Sequence, residues 1–237
     1  MPKPAYRRPG ASALIASWLT IVTSTAALAA SPGSAQTASA RIAPYLMASQ
    51  EQEIALARTA APPSVSTRAT VMVLGAHGYF TAVKGSNGFV CLDERSWQAA
   101  VTVSRAGFWN PAINTPKCYN AVAVRSVLPE YLLKTQWVLA GASEAEIGDR
   151  LKAAWATGQL RTPPPGALGF MMSRLASGVG GPGPWRPHLM FYFPKGDVPN
   201  WGANLGGNPV FDSVREHVTV FFVLVPTWSD GSPAPHF

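Results

Sequence analysis

The sequence predicts an α+β fold: a single domain with a mainly antiparallel sheet packed against two or three helices. Three observations predict it. Apolar, β-branched runs gather in two blocks, residues 69–92 and 167–225, with helical patterns before and between them. Segregation of this kind marks α+β folds, whereas alternating strands and helices mark parallel α/β sheets. Within each block, Gly, Pro and Asn turns join the runs, which suits antiparallel neighbours. The 237 residues show no internal repeat and suit one domain.

The elements follow in order. Residues 1–30 read as a signal peptide: Lys3, Arg7 and Arg8 precede an apolar run from Ala11 to Val22, and Ala27-Leu28-Ala29 offers a small-residue cleavage site. Ala38-Ser39-Ala40 is a second candidate. Residues 31–48 read as a flexible leader, 49–232 as the globular domain and 233–237 as a tail. Ser49-Gln-Glu-Gln-Glu53 reads as a helix start, with acids set favourably against the helix dipole, and Ala61-Pro-Pro-Ser64 ends that helix.

Three strands should follow, at 69–74, 79–83 and 89–92, joined by the turns Gly75-Ala-His-Gly78 and Lys84-Gly-Ser-Asn-Gly88, as an antiparallel meander. Asp93-Glu-Arg-Ser-Trp97 suggests a short helix, and residues 106–118 a Pro/Asn-rich loop. Pro129 suits a helix start and Gly141 its stop. Ser143-Glu-Ala-Glu146 is a capping box, and Ile147, Leu151, Ala154 and Trp155 mark an apolar helix face. Strands are expected at 167–172, 188–193 and 218–225, with loops at 177–187 and 198–209.

The charge balance says more about address than about partner. The full chain carries a net +7; residues 31–237 keep 16 basic against 12 acidic residues, a net +4 without clusters. Nucleic-acid binding calls for a basic stripe, so no nucleic acid is expected as partner. Only 13% of residues are charged, about half the usual ~25% for soluble domains. An exported chain meets oxidising conditions, so Cys91 and Cys118 are read as a disulfide. The expected location is the periplasm or the extracellular space. No stable membrane span is expected after signal cleavage.

No motif fixes an activity. Gly178-Val-Gly-Gly-Pro-Gly183 matches G-x-G-x-x-G, but Pro184-Trp-Arg-Pro187 follows and cannot open the helix a dinucleotide needs. Neither a cofactor nor a metal is expected. Met171, Met172, His188 and Met190 offer soft ligands, but methionines in apolar runs usually fill cores. Aromatic and polar residues of the 177–209 segment suggest a ligand site: Trp185, Arg186, His188, Tyr192, Trp201 and Asn208. The expected occupant is a small molecule or an envelope component.

Cys91, ahead of a short helix, and His188, on a later strand, resemble the order of nucleophile and base in cysteine peptidases of the NlpC/P60 kind. That resemblance implies a hydrolase of envelope material, with Asn204, Asn208 or His217 orienting the base. The residues before and after Cys91, Val90 and Leu92, depart from the family's usual Asp-Cys followed by a small residue. Gly85-Ser-Asn-Gly-Phe-Val-Cys-Leu92, Pro116-Lys-Cys-Tyr119 and Pro184-Trp-Arg-Pro-His-Leu-Met-Phe-Tyr192 resemble a family of exported bacterial proteins with no assigned activity. This second likeness, over most of residues 50–232, implies export and one coherent domain and carries over no catalytic residue. The leading expectation is therefore a non-enzymatic exported binding domain.

Overall fold

Ser49 caps the first helix, α1 (Gln50–Arg58), by accepting from the Gln52 N–H, with Glu51 and Glu53 in its first turn. The computed structural model describes residues 40–98, 107–177, 186–196, 198, 201–214 and 217–234. The signal-peptide reading, the G-x-G-x-x-G stretch and Trp185 lie outside them. Pro63–Ser66 (α2) is a single helical turn after the Pro-rich stop. Five further stretches lie at the expected strand positions: β1 (Thr70–Gly75), β2 (Gly78–Val83), β3 (Val90–Glu94), β5 (Ala167–Met171) and β6 (His188–Pro194). β8 (Val218–Leu224) is the expected final strand.

Between the two blocks of strands lie α3 (Ala121–Ser126), α4 (Leu128–Leu139) and α5 (Glu144–Ala156). Asn120 caps α3, Pro129 sits in the first turn of α4, and Gly141 follows α4 at a φ of 88°. The capping box on α5 forms in full: the Glu146 N–H donates to Ser143 Oγ, and Glu146 Oε2 accepts from the Ser143 N–H at 2.7 Å. Among the described residues no helix is long and apolar enough to cross a membrane.

Among the described residues eight strands, with β4 at Thr115–Tyr119 and β7 at Val210–Val214, form one sheet in the order β2-β1-β3-β4-β5-β6-β8-β7, antiparallel at every pairing except β1–β3. The single α+β domain with a mainly antiparallel sheet is thus the observed fold. The meander is corrected: β3 lies on the far side of β1 from β2 and runs parallel to β1. The reason is local. After β2 the chain passes across the start of β1, where the Ser86 N–H donates to the Arg68 carbonyl at 2.8 Å. At Gly85 a Cβ would lie 2.1 Å from the Thr70 nitrogen, so only glycine permits this crossing.

Four further expectations change. Asp93 and Glu94 belong to β3 and are extended, not helical. The loop expected at 106–118 gives way to β4 (Thr115–Tyr119). Pro116 is tolerated there because the β4–β5 ladder reaches only Cys118 and Tyr119. β7 (Val210–Val214) forms the sheet edge beyond β8, where a single Phe-Asp-Ser run gave little sequence signal. Ile42 and Tyr45, assigned by sequence to the flexible leader, are buried against Leu74 and Trp97, so the packed chain begins before residue 49.

Each face of the sheet carries its own core. Alternation along the strands sends Val71, Val73, Cys91 and Cys118 to the α1 face. It sends Leu92, Tyr119, Met190, Tyr192 and Val220 to the face covered by α3 and α4. Cys91 and Cys118 are directly opposed on β3 and β4 and form a disulfide.

Two outcomes follow. The native protein should show no titratable thiol under non-reducing denaturing conditions, and Cys91→Ser/Cys118→Ser should lose about 3 kcal/mol of stability in urea titration. Gly85→Ala should cost at least about 1–3 kcal/mol through the clash with the backbone of Ala69 and Thr70.

Candidate functional site

Every residue from Cys91 to Gln98 is at most 1% exposed. Three consecutive ionisable residues, Asp93, Glu94 and Arg95, lie in that stretch. Such burial is tolerated only when charges are paired and their hydrogen bonds met. Alternation sends Asp93 and Arg95 to one side of the sheet and Glu94 to the other.

On the α1 side, the Arg95 guanidinium pairs with Glu53 at 2.9 Å and with the Asp93 carboxylate, and donates to the Tyr45 carbonyl at 2.9 Å. Glu53 also accepts from the Leu74 N–H at 2.9 Å, which anchors α1 to β1. Gln98 accepts from the Arg95 N–H at 2.8 Å and from the Tyr79 hydroxyl at 3.0 Å. Burial raises Asp93 to about 7; Arg95 opposes the shift, and Glu53 and Glu94 add to it. Burial also raises Glu53, with Arg95 and the Leu74 N–H opposing.

On the α4 side, Glu94 accepts from Lys117 Nζ at 2.5 Å and from the Tyr119 hydroxyl. The Tyr131 ring, from α4, covers this group. Lys117 Nζ lies 5.2 Å from its centroid and Lys134 Nζ 5.5 Å. Lys134 in turn pairs with Glu130 at 2.6 Å, one helical turn away.

Beside this second group lies a cavity of about 200 Å³ between α4, α5 and the sheet. Glu130, Tyr131 and Lys134 line its α4 wall, Leu151 and Trp155 its α5 wall, and Tyr192 its floor. At its rim His217 stacks on Trp155, with centroids 4.8 Å apart and planes 20° apart. A shallower groove of about 520 Å³ lies along Arg41, Tyr45 and Trp109. There the Arg41 guanidinium sits 5.8 Å from the Trp109 ring. The smaller cavity is the more enclosed of the two.

The sequence candidates divide between these places. Tyr192 and His217 meet at the cavity. His188 is buried on the same face, and its Nδ1 lies 3.0 Å from the Arg186 carbonyl. Phe222 stands edge-on to it at 5.3 Å. Burial lowers His188 to about 4; the Arg186 carbonyl opposes this, and nearby Lys117 adds to it. Trp201 packs on the opposite face, against Phe191, Phe193 and Phe221. Asn208 holds its own loop, donating to the Trp201 and Gly202 carbonyls. Asn204, at a φ of 65°, donates to Asp212 at 2.5 Å and pins that loop to β7. Among the described residues, Tyr192 and Trp201 thus lie on opposite faces of the sheet and do not share one site.

Nor do Cys91 and His188 approach each other. The Cys91 sulfur is bound to Cys118, and β4 and β5 separate β3 from β6, a distance of about 14 Å at ordinary strand spacing. Met171 and Met190 belong to the core around Tyr119. Among the described residues no group of three or more His, Cys, Asp or Glu side chains is placed to hold a metal ion. Sequence reasoning passed over Glu94, Lys117, Glu130 and Lys134. Only Glu130 and Lys134 left a sequence signal, an i,i+4 pair on a helix.

Comparison with protein-family models, with curated proteins and with solved structures finds no match.

Stability should carry two opposing pH dependences over one window, from about pH 4 to 7. An acid held above its unfolded value binds a proton on folding, so the Asp93 contribution is greatest at low pH and is lost as pH rises from near 4 through about 7. Glu53 acts in the same direction. His188, held below its unfolded value, acts oppositely: stability is lost as pH falls from 6.5 through about 4. The two largely offset each other in the wild type, so between pH 4 and 7 the melting temperature should fall toward acid in Asp93→Asn, where His188 acts unopposed, and fall toward neutral pH in His188→Gln, where Asp93 does.

Proposed function

We propose that this chain is an exported, non-enzymatic binding domain that holds a small molecule in the cavity between α4, α5 and the sheet. The cavity itself carries the reading. It is concave and partly open to solvent, its walls are largely aromatic and aliphatic, and a few polar groups sit at fixed points. Small-molecule sites share this composition. At about 200 Å³ it is smaller than the usual range of ~300–1,000 Å³, so its occupant is small. A cavity of ~150 Å³ accommodates benzene, which sets the scale at one ring with a few further atoms.

Two supports bear on the address. The disulfide between central strands suits an oxidising compartment. The N-terminal segment reads as an export signal, and cleavage near Ala29 leaves the packed Ile42 and Tyr45 well inside the mature chain.

The test is a ligand-observed NMR screen of the mature protein against a library of one- and two-ring compounds. Binders should be found, and Leu151→Trp, which fills the cavity from α5, should abolish their signals while preserving the melting temperature. Binders that persist in a folded Leu151→Trp variant, or a screen with none, would overturn the cavity as the site.

A further inference from the structure

The charges around the cavity set what kind of molecule can occupy it. Both ammonium groups that reach the Tyr131 ring are already bonded to carboxylates, Lys134 to Glu130 at 2.6 Å and Lys117 to Glu94 at 2.5 Å. The Lys134–Glu130 pair belongs to the cavity wall and is largely removed from water, its side chains 7% and 17% exposed. A pair of this kind presents opposite charges side by side. An anion entering beside Lys134 also meets Glu130, and a cation beside Glu130 also meets Lys134.

Cations face a second obstacle. Aromatic rings attract cations over their faces. The Tyr131 ring already has Lys117 and Lys134 nearby, so an incoming cation would be set against two ammonium groups. Stripping water from a charged ligand without supplying a counter-charge costs several kcal/mol. A neutral ring avoids that cost. It also gains contact with Leu151, Trp155 and Tyr192, while the pair still offers an N–H donor and a carboxylate acceptor to one polar substituent.

We infer that the cavity selects uncharged, single-ring aromatic ligands bearing a hydroxyl or N–H group, and that the Lys134–Glu130 pair enforces the selection. This rests on the cavity being the binding site. The paired charges act as a filter on ligand charge, and the apolar walls supply the affinity.

The test is a panel of four probes of similar size at neutral pH: phenol, benzyl alcohol, benzoate and benzylammonium, each titrated against the mature protein by ligand-observed NMR. Phenol and benzyl alcohol should bind, and benzoate and benzylammonium should bind at least ~10-fold more weakly. In Glu130→Gln, which keeps the side-chain shape and frees Lys134, benzoate should gain at least ~10-fold relative to phenol. Charged probes that match the neutral ones in the wild type would overturn the selection and leave the cavity as the site. An unchanged benzoate affinity in folded Glu130→Gln would overturn the role of the pair. Silence across all four probes would overturn the cavity reading itself, and the inference with it. The wild-type panel decides the selection alone if Glu130→Gln does not fold.

Discussion

The structure depends on how three consecutive charges at the end of β3 are taken out of water. Asp93, Glu94 and Arg95 are fully buried, and a strand delivers them alternately to opposite faces of the sheet. Each face must therefore supply its own partners. The α1 side supplies Glu53, the Tyr45 carbonyl and the Leu74 N–H; the α4 side supplies Lys117 and Tyr119. Helix α1 cannot shift along the sheet without breaking Glu53 from both Arg95 and Leu74. Buried pairs of this kind add little net stability against apolar substitutes, but breaking one is costly, so they fix geometry.

The same demand shapes the candidate site. Lys117 is needed to neutralise Glu94, and its ammonium lies under Tyr131. Tyr131 in turn brings Lys134 and Glu130 to the edge of the core. The cavity beside them lies between α4, α5 and the sheet, with Trp155 and His217 stacked among its lining. A polar arrangement required for folding thus reaches the cavity wall without a break.

Local signals were legible in the sequence where local physics decides the outcome. Ser49, Ser143 with Glu146, Pro129 and Gly141 mark helix ends through bonds made within a few residues, and the structure forms them. Apolar β-branched runs gave six of the strands. The path between strands was not legible, because the crossing after β2 depends on Gly85 approaching Thr70, a contact between residues 15 apart. β4 was hidden by Pro116 and Lys117, residues that ordinarily argue against a buried strand. The buried charges read as surface because their partners are distant in sequence; Glu53 and Arg95 meet only after α1 docks. Trp201 and His188 looked like neighbours across one loop, but the pleat places them on opposite faces.

The bridge between Cys91 and Cys118 has a consequence for the stretch of chain it encloses. The two cysteines are opposed on adjacent central strands, and residues 92–117 form a covalently closed loop between them. A protease that cut this loop once, at any peptide bond within it, would release nothing: the two fragments would stay joined through sulfur at the middle of the sheet. The loop is thus the one span of this chain that tolerates a break in the backbone without a loss of mass.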